Sequence, residues 1–266
     1  MQFDIRKPSH IVSLILLLGS FFVLIGVPIL SFVGVLESDT SQISDFPETL
    51  KVFIELFLLI LQILLFIVLM IVVPLIWYFF VNKFTISKIK DCLQMRIKNF
   101  DRAVLWGVIA VFFMFATSIV IGVILNSLNF DVNEASNIED IANIFSPVSM
   151  FILVVFQPIG EEFFFRGFLL DKINSFFSRK SDYNADGKDF FSEYKIPAVV
   201  LTSILFGIAH ASYGKVYPVF VTALLGLILG FVVVKTKSLY AGMIAHILYN
   251  VITLILYLSF QDFIGF

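Results

Sequence analysis

LFLLILQILLFIVLMIVVPLIWYFFV, Leu56 to Val81, is a run of 26 residues without a single charge. About 20 consecutive apolar residues cross a bilayer core as a helix. The run is continuously apolar and lacks the period-two alternation of a lipid-facing strand. Ile11–Leu36 and Ala103–Leu128 match it in length and are equally free of charge. A fourth run starts at Phe145 and continues, interrupted by charges, to about Phe177. Ile196–Ala211, Val216–Val234 and Leu239–Phe260 bring the set to seven, and the long fourth run has room for an extra break. The pattern predicts an all-α polytopic bundle of seven to eight spans. Residues 1–143 form three N-terminal spans, and residues 144–266 form a core of about four.

Composition points the same way. Of 266 residues, 59% are hydrophobic, 14% are charged and 33 are phenylalanine. A soluble domain carries about 25% charge and 45–50% apolar residues, so a cytosolic globular protein is excluded. High hydrophobicity and a net charge of −2 exclude a disordered chain. The single cysteine, Cys92, rules out a disulfide framework or a cysteine metal cluster. The near-neutral balance gives no nucleic-acid footprint. The lipid bilayer is the one partner composition demands.

Basic residues set the expected orientation. The tail holds Arg6 and Lys7. The second loop holds Lys83, Lys88, Lys90, Arg96, Lys98 and Arg102; the fourth holds Lys172, Arg179, Lys180, Lys188 and Lys195; the sixth holds Lys235 and Lys237. These are 15 of the 18 basic residues. The intervening loops carry Lys51 and Lys215 against acidic clusters at Glu37, Asp39, Asp45, Glu48 and at Asp131, Glu134, Glu139, Asp140. The expectation is a multi-pass cell-membrane protein with a cytosolic N-terminus and, with seven spans, a C-terminus outside. The polar stretch Ser181–Glu193 reads as a solvated linker or a flap at the cytosolic mouth. Gly226 and Gly230 read as a close-approach stripe between helices.

Ionisable groups inside a span are costly and tend to mark functional sites. The fourth run contains Gly160-Glu161-Glu162-Phe163-Phe164-Phe165-Arg166-Gly167. Glu162 and Arg166 are four apart and can pair on one helix face. Glu161 is rotated about 100° away. An interfacial helix end with a snorkelling arginine is the bland alternative, but Phe163–Leu170 continues the apolar pattern past the carboxylates. Two of the three histidines, His210 and His246, also lie in apolar runs, and His246 shares a face with Asn250. At 1.5 Å per residue, Glu161 lies about 15 Å from either face, His210 about 21 Å and His246 about 11 Å from the cytosolic side. They can meet at one level.

A glutamate beside a histidine in a desolvated pocket has the means to activate water, because burial moves both toward the working pH. A second histidine or an asparagine amide can supply the oxyanion donor. No Gly-x-Ser-x-Gly elbow is present, and Cys92 lies in a basic loop, so a serine or cysteine nucleophile is poorly supported. Glu161-Glu162-x-x-x-Arg166, Phe206-x-x-x-His210 and His246-x-x-x-Asn250, in that order, resemble the CPBP intramembrane protease family. That family includes type II CAAX prenyl endopeptidases and the bacteriocin-processing and immunity proteins called Abi proteins. The lead-in Ser238-Leu239 and Ala241-Gly242-Met243-Ile244-Ala245 adds to the likeness, which covers about Met150 to Val251.

The resemblance implies hydrolysis of a peptide bond, with a peptide or membrane-protein substrate. Glu161 and His210 would activate water, Glu162 with Arg166 would brace the site, and His246 with Asn250 would stabilise the oxyanion. Family members are often called metalloproteases, and Glu161, His210 and His246 would be the ligands of a Zn²⁺ ion with an open position. The arginine beside the carboxylates works against a dication and favours a site that requires no cofactor. Two other classes compete: a non-catalytic bacteriocin self-immunity protein, and a proton-coupled transporter, for which paired broken helices would be the sign. No such pairing is visible.

Overall fold

A computed structural model of the chain describes residues 3–35, 47–95, 97, 100–129, 141–142, 144–178, 195–213 and 215–264. The described residues are helical or in turns, with no strand among them. Among the described residues, six helices are long and apolar enough to cross a membrane: α1 (Pro8–Phe32), α2 (Glu48–Val81), α4 (Phe100–Ser127), α5 (Pro147–Phe176), α7 (Val216–Thr236) and the apolar stretch Leu239–Phe260 of α8 (Leu239–Ile264). A short helix α3 (Ile86–Cys92) follows α2, started by Thr85, whose hydroxyl accepts from the Lys88 N–H. The expected seventh span is the exception. α6 (Lys195–Ile208) has 14 residues, about 21 Å of helix against a hydrocarbon core of about 30 Å. It stops just before His210, and a 3₁₀ turn (Ala211–Tyr213) leads toward α7. The span count of seven to eight therefore stands at six long helices and one short one.

The fourth run does not break. It widens into a π-helical segment, Phe163–Leu169, directly after Glu162, a feature frequent at functional sites. Similar segments in α1 (Phe22–Gly26) and α2 (Ile67–Val72) run up to Pro28 and Pro74. There the missing N–H and the ring disturb the regular ladder.

Burial separates the helices by role. In the most apolar windows, 56% of α5 is buried, against 17–22% for α1, α2, α4 and α8. The helix carrying the charges is therefore the interior one, and its neighbours present apolar side chains outward. Phe53, Phe57, Phe112 and Phe113 are exposed, whereas Phe163, Phe164, Phe165 and Phe168 are buried in a core that also holds Met70, Tyr78 and Leu239. Both halves of the chain contribute to that core.

α6 and α7 approach closely because glycines line their contact. A Cβ at Gly207 would lie 2.5 Å from the Val219 carbonyl oxygen, and one at Gly230 would lie 2.8 Å from Val199 Cγ1. At the far end of α7, Lys237 adopts a left-handed conformation (φ 52°) that turns the chain into α8. The Leu239 N–H then bonds the Gln94 carbonyl. The stretch Ser181–Glu193, expected as a linker or flap, lies outside the described residues. His10 sits buried in the first turn of α1, where its Nδ1 accepts the Asp4 N–H.

Candidate active site

Ser146 and Pro147 start α5: the serine hydroxyl accepts from the Ser149 N–H, and proline occupies the first helical position. Four turns later the helix delivers Glu161 and Glu162 to the protein interior. Glu162 is fully buried, and Arg166 Nη1 donates to its Oε1 at 2.8 Å. This is the i,i+4 pair that the sequence spacing predicts. The guanidinium is fixed twice more. Nη2 reaches the Gly226 carbonyl at 3.4 Å, and Cζ lies 4.0 Å from the Phe206 ring centroid. Gly226 permits this, since a Cβ there would sit 3.2 Å from Nη2, from Phe206 and from the Ser203 backbone.

His246 of α8 joins the two carboxylates. Its Nδ1 is 3.0 Å from Glu162 Oε1, and its Nε2 is 3.6 Å from Glu161 Oε2. Glu162 Oε1 thus accepts from two cations or potential cations, while Oε2 has no hydrogen-bond partner among the described residues. Gly242, one turn before His246, leaves room for Oε2; a Cβ there would be 2.7 Å away. Glu161 Oε1 accepts from Gln157 Nε2 at 2.7 Å.

His210 lies just past the end of α6. Its Nδ1 bonds the Phe206 carbonyl at 2.9 Å, and its ring meets the Phe206 ring edge-on at 4.9 Å. A carbonyl only accepts, so Nδ1 carries the proton and Nε2 is left for other work. Glu161, His210, His246 and Asn250 all line one cavity of about 590 Å³. Its walls are largely apolar, including Leu24, Leu69, Met114 and Leu153.

Four of the six predicted site residues therefore share a cavity, and the other two, Glu162 and Arg166, stand behind it. The ring of His246 is held between the carboxylates, with Glu162 Oε1 in direct reach of Nδ1. The sequence reading missed Gln157, although it stands four residues before Glu161 and the spacing that found the Glu162–Arg166 pair applies equally. It also missed the ring of Phe206 as the platform under Arg166, a contact between separate helices.

A dication would need Glu161, His210 and His246 as a ligand set. Among the described residues, no group of three His, Cys, Asp or Glu is placed to hold a metal ion. Phe206 and Glu162 engage the Nδ1 atoms of His210 and His246, which leaves the two Nε2 atoms as the nitrogens a metal would use.

What such an interior can do is limited. A buried carboxylate, imidazoles with one nitrogen committed and an amide surround a space large enough for water and a polypeptide segment. Residues 143–252 match the model of a protein family described as type II CAAX prenyl endopeptidase Rce1-like. The match spans the region of the three motifs and agrees with the CPBP resemblance. No curated protein and no solved structure matches the chain significantly.

Proposed function

From a chain whose second half carries the Rce1-like type II CAAX prenyl endopeptidase pattern, we propose an intramembrane endopeptidase that hydrolyses a peptide bond with water activated by Glu161. The placement of Glu161 and His246 with a 3.6 Å gap between them, at the floor of a mostly apolar cavity, carries this reading. A water in that cavity can lie beside the pair and bond to Oε2 of Glu161.

Glu161 takes the proton from that water as it attacks the scissile carbonyl. Gln157 holds the other carboxylate oxygen, so that Oε2 is the one aimed at the cavity. Glu161 gives that proton up to the leaving amine as the C–N bond breaks, with Nε2 of His210, on the same cavity, as the relay. Asn250, with its NH₂ donors, and His246 in its protonated form serve the developing oxyanion. Glu162 and Arg166 are positioning residues: they fix the His246 ring and do not touch the substrate.

The test is cleavage of candidate peptides by protein in liposomes. Glu161→Gln and His210→Ala are each expected to lower turnover by about 10²–10⁴-fold, the usual worth of a general acid or base. Undiminished cleavage by both variants overturns the reading.

A further inference from the structure

Met114, at the middle of α4, is the one residue that helix gives the catalytic cavity, whereas the other helices that line it extend the lining toward one end of the bundle. α1 offers Pro28 near its end, α2 offers Gln62 from its first half, and α5 offers Met150 near its start. Ser212 follows α6, Thr222 is in the second turn of α7, and Thr253 lies in the second half of α8. These positions converge on the end whose loops carry Glu37, Asp39, Asp45 and Asp131, Glu134, Glu139, Asp140. Ser31 Oγ reaches the Ser212 carbonyl there at 3.3 Å, which ties the end of α1 to the cavity rim.

A second cavity of about 300 Å³ approaches from the opposite end. Asp91, Gln94, Asp171 and Lys237 line it, and Arg166 is where it stops. The two cavities have no lining residue in common. Glu162, fully buried, lines neither. The Glu162–Arg166 pair is thus a partition between an acidic-end cavity and a basic-end one. Loops at the basic end, with the N-terminal tail, hold 15 of the 18 lysines and arginines, an excess that marks the cytosolic side of a membrane protein.

We infer that the catalytic cavity opens to the non-cytosolic face, and that the substrate is an apolar peptide segment presented from that side. The substrate half of the statement rests on the endopeptidase reading; the direction of opening does not. Leucines and methionines on the walls suit apolar side chains, and the polar groups lie at the closed floor, where an extended segment would place its backbone. The cytosolic cavity ends on a guanidinium already held by Glu162, Gly226 and Phe206, so it offers no second way in.

Thiol accessibility tests this without any turnover, and so separates it from the fate of the protease reading. In a Cys92→Ser background, Ser212→Cys, Thr253→Cys and Lys237→Cys are expressed singly. Intact cells are treated with a charged, membrane-impermeant maleimide, before and after permeabilisation. The expected result is labelling of the Ser212 and Thr253 positions in intact cells, and of the Lys237 position only after permeabilisation. Ser212 lies exposed at the rim and carries the test even if the deeper variant does not fold. The reverse pattern, or no labelling at Ser212 under either condition, overturns the inference.

Discussion

Arg166→Met leaves a fully buried carboxylate without its guanidinium. In the native protein Arg166 holds Glu162 at 2.8 Å, caps the Gly226 carbonyl and lies over the Phe206 ring at 4.0 Å. Removing one partner from such a buried pair costs about 3–5 kcal/mol, mostly because the remaining charge is stranded. Glu162→Gln strands the arginine in turn, and with it frees His246 Nδ1. Replacing both together removes the stranded charges. The double variant is therefore expected to be more stable than the two single losses would sum to, with a coupling of about 2–3 kcal/mol, at the upper end for residues in one network. Arg166→Lys keeps the charge but not the fork that serves Glu162 and Gly226 at once, and falls between wild type and Arg166→Met. The assay is denaturing-detergent titration in mixed micelles, followed by tryptophan fluorescence from Trp77 and Trp106. A loss below about 1 kcal/mol for Arg166→Met, the range of an exposed pair, refutes the reasoning that this pair is a desolvated partition.

Gly207→Ala places a methyl 2.5 Å from the Val219 carbonyl and 2.7 Å from Ala223 Cβ, so α6 and α7 must separate. The expected loss is about 1–3 kcal/mol, with reduced cleavage because Phe206 and His210 flank the site; an unchanged melting profile contradicts it. Asn250→Ala is expected to lower kcat by about 10²–10³-fold, as for other single oxyanion donors, with KM little changed; a pure KM effect counts against the assigned role. Burial, with Asp171 nearby, pushes the Cys92 thiol above its ordinary value. Less thiolate is then present at neutral pH, so maleimide labelling of Cys92 should be slow and should still be climbing above about pH 8.5, the ordinary thiol pKa. A rate that levels off below that pH shows a normal or lowered thiol.

Apolar content made the fold legible. Charge-free runs such as Leu56–Val81 and Ala103–Leu128 announce spans by length alone; α2 contains the first in full, and α4 all of the second but Leu128. α6 was harder. Ile196–Ala211 reads as one apolar run, and its hydropathy does not announce the helix stop at Ile208. The π-helical segment at Phe163–Leu169 was equally hidden, because a shift of the hydrogen-bond ladder by one residue leaves the composition unchanged. Within the site, local contacts were readable and distant ones were not. Glu162 and Arg166 meet across one helical turn, a relation carried by spacing. His246 meets Glu162 across 84 positions of chain, and no periodicity encodes which of two imidazoles will take the carboxylate. The depth arithmetic brought Glu161, His210 and His246 to one level, and the three line one cavity, but level alone did not place Arg166 and Glu162 behind the wall.

Direct attack by water is tested by single-turnover cleavage in ¹⁸O-enriched water, with mass analysis of both the product and the α5 peptide containing Glu161 and Glu162. Water activated by Glu161 places one ¹⁸O in the new carboxyl terminus of the product and none in either glutamate. Label in the Glu161 side chain with an unlabelled product would mean that the carboxylate itself attacks the peptide, and would contradict its assignment as a base.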